Sequence, residues 1–555
     1  MRRIRIFFLT VVCSVVFAGA AAAVPPSGAG TYSDLVGLFE DFLAYKAPSA
    51  WNANFNDPDA PDHGLVDYSP PAIAKRRAEL TELRARLDDM NVAEWPIAQQ
   101  AEYLAVRAQF DAQAFLLEVS QPWARDPGFY ADQLLRITFT ELPLAGEDKA
   151  MFERQLAAVP AIIEAAKQNL DDPAGDYAAL ALHNLTTADG VGHGHPYRAE
   201  PPAGIIGWYE DLRERARGLH PELMPAIDAA HAAAADYRDW LQDNMDSFTA
   251  EAGVGAAQYD WYLKHAKLLP FTSDELIVLS NREWDRLYSF YALAQHRNRD
   301  LTDLTPAKTE KDYQKRIDAA DRNIREFLVR EEIITVPDYV GELDTNGPFI
   351  TRPQGLNFWE QVQFRDPHPD HLHAVIPGHR FDGLLEDHND HPIRGRITDG
   401  VRAEGWGTYL EESMMRAGVL DEYAQVEELI YLFGIFRAAR VPADVGMQRN
   451  EMTVQEAVDF MRSKTPWLDE NVARVDAEIY LRRPPGYGIG YTIGNFQMRG
   501  LLADRAAQLG DDFVLKEFHD DFMAAGRLPI SLIRWQMTGM DNEIRDFWET
   551  EPIPE

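Results

Sequence analysis

Apolar residues recur at i, i+3 and i+4, with charged residues on the opposite face, over 72–90, 97–119, 149–170, 221–244, 273–299 and 308–330. That period predicts amphipathic helices. A shorter helical stretch is expected around 35–45. Thr272-Ser273-Asp274-Glu275 and Thr305-Pro306 supply helix starts. The pattern changes over 333–365, where Thr335-Val336 and Phe349-Ile350-Thr351 flank an Asn346-Gly347 turn. Such short runs around Asn-Gly predict strands. Helical periodicity resumes near His371 and continues to the C-terminus, and no repeat of fixed period is present. The expectation is a mainly α protein with a small β-sheet just ahead of the richest histidine region. A helical region, 24–330, would be continuous with a region, 331–555, that carries the chemistry.

Residues 1–23 change that picture at one end. Arg2, Arg3 and Arg5 precede an apolar run that ends in Ala21-Ala22-Ala23, with Pro25-Pro26 just beyond. This is the order of a cleavable export signal, so a periplasmic or secreted protein is expected, with no membrane attachment after cleavage. An uncleaved anchor is the alternative, since the apolar run approaches the roughly 20 residues that span a bilayer. The only cysteine, Cys13, lies inside that run, so disulfides, thiolate nucleophiles and Cys-ligated metal are excluded from the mature chain. The formal net charge of −35 makes nucleic acid and anionic lipid poor partners. Solubility is the first reading of so much acid, and attraction of a cationic ligand the second.

Of the fifteen histidines, six fall between His368 and His391. Two imidazoles and a carboxylate with one open position form a common catalytic zinc set. His373 and His379 are six residues apart, roughly 240° around an ideal helix. They can converge only if the helix is locally distorted. Pro377, which has no N–H, and the flexible Gly378 stand between them. On spacing alone the alternative stands ahead: a helix that ends at Ile376, with two unrelated polar histidines in a solvated loop. Glu404, at the head of an amphipathic run, is open to two readings as well: a ligand, or a carboxylate favoured by a helix N-terminus.

The stretch His373-Ala374-Val375-Ile376-Pro377-Gly378-His379, followed by Glu404-Gly405-Trp406, resembles the bacterial family called "domain of unknown function 885". That family's motifs read H-E-x-x-P-G-H and E-G-W. Further landmarks agree: Ala257 to Leu276, the run Arg437-Ala438-Ala439-Arg440-Val441 with Asp444 and Gly446, the set Glu478, Tyr491 and Gly494, and Phe518-His519-Asp520 with Gly526. The resemblance implies similarity to helical gluzincin zinc metallopeptidases. It implies one zinc per chain on His373, His379 and Glu404, and a peptide or small amide as substrate or ligand. It also implies an oxyanion role for Tyr491, to which a packed aromatic is the alternative. Arg437 and Arg440 are candidates for a substrate carboxylate or for pairing with Asp444.

Two positions depart from the family pattern. Ala374 stands where the catalytic glutamate is expected, and Gln448 where a histidine is. The missing glutamate would have moved the proton of the attacking water, help worth roughly 10²–10⁴-fold. Glu411, on the face of Glu404, is the first candidate for a substitute base; Asp382, Glu386 and His371 are others. Three readings therefore stand open: a metal-dependent hydrolase with a substitute base, a silenced metal- or ligand-binding envelope protein, and a metal-free helical scaffold. His193 and His195, like His388 and His391, lie in polar loops where solvated roles are expected.

Overall fold

The computed structural model describes residues 24–46, 66–188, 198–344 and 347–555. The expected export signal, Cys13, His193, His195 and Asn346 lie outside the described residues.

The 3.6-residue pattern translates into helices almost segment for segment. The predicted 35–45, 72–90, 149–170, 273–299 and 308–330 become Tyr32–Tyr45, Pro70–Asp88, Gly146–Asn169, Ser273–Asn298 and Glu310–Arg330. The predicted start at Thr272 is a complete capping box: its side chain accepts from the Glu275 N–H, and the Glu275 carboxylate accepts from the Thr272 N–H at 2.9 Å. Ile97–Phe115 runs into a π-turn, Leu116–Ser120. Three shorter helices, Pro127–Thr138, Gly175–Thr186 and Gly204–Arg217, had no clear periodic signal.

The predicted β-sheet is not there. Among the described residues no strand forms, only isolated bridges such as Ser27 with Asn91. The backbone of the expected strands finds side-chain partners instead. Asp520 accepts the Thr335 N–H at 2.8 Å, and His519 Nδ1 donates to the Ile333 carbonyl at 2.7 Å. Pro337, Pro348 and Pro353 have no N–H to give a ladder. Around Ile333 and Thr335 the backbone hydrogen bonds are thus met by side chains of the helix Leu515–Ala524, and further along Phe358–Gln363 is helical.

The main apolar core runs from Leu35 to Trp548 and draws on both the 24–330 and 331–555 regions. Arg482 adds a buried tie between them, 2.9 Å from Asp126 and 2.8 Å from Asp132. Val426–Gln448 is buried over nearly its whole length, and its buried polar residues Arg437, Arg440, Asp444 and Gln448 each find partners within the protein. It packs on Ser273–Asn298, and Gly400–Ala417 packs on Gly490–Leu509. The last contact is unusually close: a Cβ on Gly405 would come within 2.6 Å of the Gly494 Cα.

Candidate metal centre and its cavity

The helix carrying His373, His368–Ala374, ends before Pro377, and a new helix, His379–Glu386, begins with the second histidine. The break is a four-residue turn rather than a kink. Gly378 is required in it, because a Cβ there would lie 1.9 Å from the His373 carbonyl oxygen. Trp406 donates its indole N–H to the Pro377 carbonyl at 2.9 Å and pins the turn to Gly400–Ala417.

That pinning brings three atoms together. His373 Nε2 is 3.1 Å from His379 Nε2, His379 Nε2 is 3.2 Å from Glu404 Oε2, and His373 Nε2 is 3.4 Å from Glu404 Oε2. Zn–N and Zn–O bonds of about 2.0–2.2 Å in a tetrahedron have edges of roughly 3.3–3.6 Å, so the three separations lie within that range or slightly below it. The donor set and its spacing therefore fit zinc. Among the described residues no other group of three or more His, Cys, Asp or Glu side chains gathers in this way.

The residues after Glu404 each serve this cluster. Gly405 allows the close helix contact on Gly494, Trp406 holds the turn, and Gly407 makes room for the His373 ring. A Cβ at 407 would meet that ring at 2.7 Å.

Glu411 lies behind His373, off the cavity wall, with Oε1 2.9 Å from Nδ1. It is buried and ion-paired with Arg437, whose Nη2 also comes within 3.3 Å of Nδ1. The Nδ1 edge of His373 thus faces a carboxylate and a guanidinium; Glu411 Oε1 makes an ion-pair contact there without hydrogen-bond geometry, and the hydrogen-bond contact at Nδ1 is with Arg437. Burial alone would raise the Glu404 carboxyl, but hydrogen bonds from His373 and His379 hold it well below the usual carboxylate range.

The cluster sits in the wall of a cavity of about 1270 Å³ that also includes Asp370, Arg380, Arg437, Arg440 and Tyr491. The Tyr491 ring lies parallel to that of His373, 6.1 Å between centroids. Burial pushes its hydroxyl well above the usual range, so it stays a donor. Sequence reasoning missed Tyr487, whose O–H reaches Glu404 Oε1 at 3.3 Å and Tyr491 at 3.4 Å. It also missed Asp370, whose carboxyl burial pushes up and to which the Gln363 amide donates at 3.0 Å.

Other expected partners are rearranged. Arg440 pairs with Asp476 at 2.9 Å and stacks over Tyr491 at 4.4 Å, so neither arginine pairs with Asp444. Asp444 accepts instead from Tyr259 at 2.8 Å and from the Gly488 N–H at 2.6 Å, fixing the turn that presents Tyr487 and Tyr491. Gln448 donates to the carbonyls of Tyr480 and Leu481 at the end of Glu470–Arg482, away from the cavity. Asp382 is buried between Arg402 and Arg527, and His371 Nε2 is 2.9 Å from Asp321. Glu386 accepts from Asn389 at 3.3 Å; His388 donates to the Leu384 carbonyl, and His391 Nε2 is 3.5 Å from Glu102.

These features define a helical protein with a His-His-Glu cluster in the wall of a large cavity. The chain belongs to the family described as "bacterial protein of unknown function (DUF885)", which it matches over residues 50–537. Two solved structures share the fold at 17% identity. A "putative lipoprotein of unknown function" from Shewanella oneidensis has a TM-score of 0.68, covering 92% of this chain and 100% of that one. A lipoprotein described in similar terms, from Colwellia psychrerythraea, has a TM-score of 0.66, covering 92% and 98%. No curated protein matches the chain.

Proposed function

We propose that this chain is an exported zinc-dependent hydrolase of peptide or amide bonds, similar to the gluzincin metallopeptidases, with His373, His379 and Glu404 as the ligands of one zinc. The observation that carries this reading is the convergence of three ligand atoms, at separations close to the edges of a zinc tetrahedron, in the wall of a cavity large enough for a peptide. When bound, the ion would polarise the scissile carbonyl and acidify the attacking water.

The chain's own groups fit the remaining tasks. Glu411 and Arg437 flank the Nδ1 edge of the His373 ring and limit its rotation. Tyr491 and Tyr487 are neutral donors at the cavity wall, suited to an oxyanion developing on the substrate. Arg437 is committed to Glu411, whereas Arg440 keeps Nε and Nη1 without a hydrogen-bond partner among the described residues. Arg440 is therefore the better of the two for a substrate carbonyl or carboxylate, and Arg437 acts through Glu411 on His373. Export is supported by the order of residues 1–23 and by the description of both structural relatives as lipoproteins. No described helix is long and apolar enough to cross a membrane.

Ala374 favours a second reading, a metal-holding protein that binds peptides without cutting them, because the expected proton carrier is missing at that position. Metal analysis of the purified protein, followed by a peptide-cleavage assay with and without chelator, separates the two. One zinc with chelator-sensitive cleavage supports the hydrolase; one zinc without cleavage supports the binder; absence of stoichiometric metal removes both.

A further inference from the structure

We propose that a single water molecule is bound behind His373, between Thr408, Glu411, Arg437 and Asn495, as a fixed part of the support of that ring. These four residues line a chamber of about 20 Å³, separate from the large cavity, and Arg437 alone lines both. Each of the four is more than nine-tenths buried. Each carries a polar atom that meets no hydrogen-bond partner among the described residues: Thr408 Oγ1, Glu411 Oε1, Arg437 Nε and Asn495 Oδ1. Buried polar atoms are rarely left so, because they have given up hydration with nothing in return. The other two carboxylates of the chamber wall are committed elsewhere. Glu283 accepts from Arg286 at 2.8 Å and from Arg499 at 2.7 Å, and Glu412 accepts from Arg286 at 2.8 Å.

The chemistry of the four atoms selects the occupant. The Arg437 Nε–H can only donate, whereas the Glu411 carboxylate and the Asn495 amide oxygen can only accept. The Thr408 hydroxyl rotates to do either. A cation would find no lone pair on Arg437, and an anion would meet the charge of Glu411. A molecule with two protons to give and two lone pairs to fill is matched: it donates to Glu411 and Asn495 and accepts from Thr408 and Arg437. One water needs about 10–15 Å³ and about two to four polar partners. The chamber supplies both.

Thr408 and Glu411 belong to Gly400–Ala417, the helix of Glu404. Asn495 follows Tyr491 by one turn on Gly490–Leu509, and Arg437 comes from Val426–Gln448. The water therefore joins three helices at the back of the ring, where Glu411 Oε1 is 2.9 Å and Arg437 Nη2 3.3 Å from His373 Nδ1. By fixing these two charged groups it fixes the ring they flank. The water site stands without a metal; its effect on ligation rests on the reading of His373 as a zinc ligand.

A crystal structure of the wild type, at a resolution that shows ordered solvent, tests the site. One water within hydrogen-bond distance of at least three of the four atoms is expected. Side chains that close on one another, or an ion in the chamber, overturn the proposal independently of metal binding. Zinc competition against a chromogenic chelator then compares Thr408→Val, which keeps the shape of the side chain and removes the hydroxyl, with Thr408→Ser, which keeps the hydroxyl. Zinc affinity is expected to fall about tenfold or more in T408V and to stay at the wild-type value in T408S. Wild-type affinity in T408V, or an equal fall in both variants, overturns the role of the water at His373. A wild type that takes up no zinc overturns the metal reading and the effect on ligation with it, and the crystal structure still decides the water site.

Discussion

Glu411 Oε1 stands 2.9 Å from His373 Nδ1, on the imidazole edge opposite the one turned to His379 and Glu404. The carboxylate is buried at 2% exposure and ion-paired with Arg437. With the Arg437 guanidinium beside it, this contact surrounds the Nδ1 edge with charge and limits the rotation of the His373 ring. Glu411→Gln keeps the shape of the side chain and removes its charge, so zinc affinity is expected to fall about 10–100-fold without loss of fold. Competition against a chromogenic chelator measures it; unchanged affinity would remove Glu411 from the support of the site.

Replacing a ligand has a different signature from replacing its support. His379→Ala is expected to abolish stoichiometric zinc, because two donors remain of three. Zinc at 1,000 times its dissociation constant stabilises a folded site by about 4 kcal/mol. The wild type should therefore melt at a higher temperature with zinc than with chelator, and His379→Ala should show no such difference. Calorimetry with and without zinc checks both halves.

Gly407→Ala tests the packing of the His373 ring. The added Cβ would sit 2.7 Å from two ring atoms, tighter than any ordinary contact. Overpacking of this kind costs typically about 1–3 kcal/mol. The strain falls on the ring, so zinc affinity should drop by about tenfold or more while the helical circular dichroism stays intact. Retention of wild-type affinity would mean that the ring can shift without disturbing the cluster.

His519 gives a pH dependence that does not involve the metal. It is buried, donates from Nδ1 to the Ile333 carbonyl and accepts at Nε2 from Tyr409 at 2.9 Å, so it is held neutral. Burial pushes its pKa down to about 4 from the ordinary 6.5. Between these values the unfolded chain binds the proton and the folded one does not. The stability is therefore fully present above pH 6.5 and is lost as pH falls toward 4, at most about 3 kcal/mol. His519→Gln retains a donor and an acceptor but cannot titrate. Its thermal midpoint should fall less than that of the wild type between about pH 7 and about pH 4.5.

The long helices were legible because each has a solvent face, and the alternation of apolar and charged positions records it. Glu310–Arg330 is such a case. The short helix Gly175–Thr186 carries too few turns to register a period. The sheet expected around Thr335 failed for another reason: β-prone residues describe an extended backbone, and here the partners of that backbone, His519 and Asp520, lie about 185 residues further along the chain. The three cluster residues were named from motif resemblance, and the Pro377-Gly378 pair gave the physical reason for the break between them. Asp370 and Tyr487 were not legible. One shares a helix face with His373 only once the helix boundaries are known, and the other is brought to Glu404 by Asp444, which holds the turn at Gly488.

The formal charge of −35 surrounds a cavity whose wall includes Arg198, Arg352, Arg380, Arg437 and Arg440. Long-range encounter and final recognition are therefore governed by opposite signs. Outside the molecule, screening over about 8 Å at physiological ionic strength decides which ligands arrive. Cationic peptides are drawn in and acidic ones held off, so added salt should slow association of the first and speed that of the second. Once inside, a ligand meets paired arginines and aromatic rings at distances too short for salt to matter. Ionic strength thus acts on the rate of entry, and through it on affinity, while the rate at which a seated ligand departs is left largely alone.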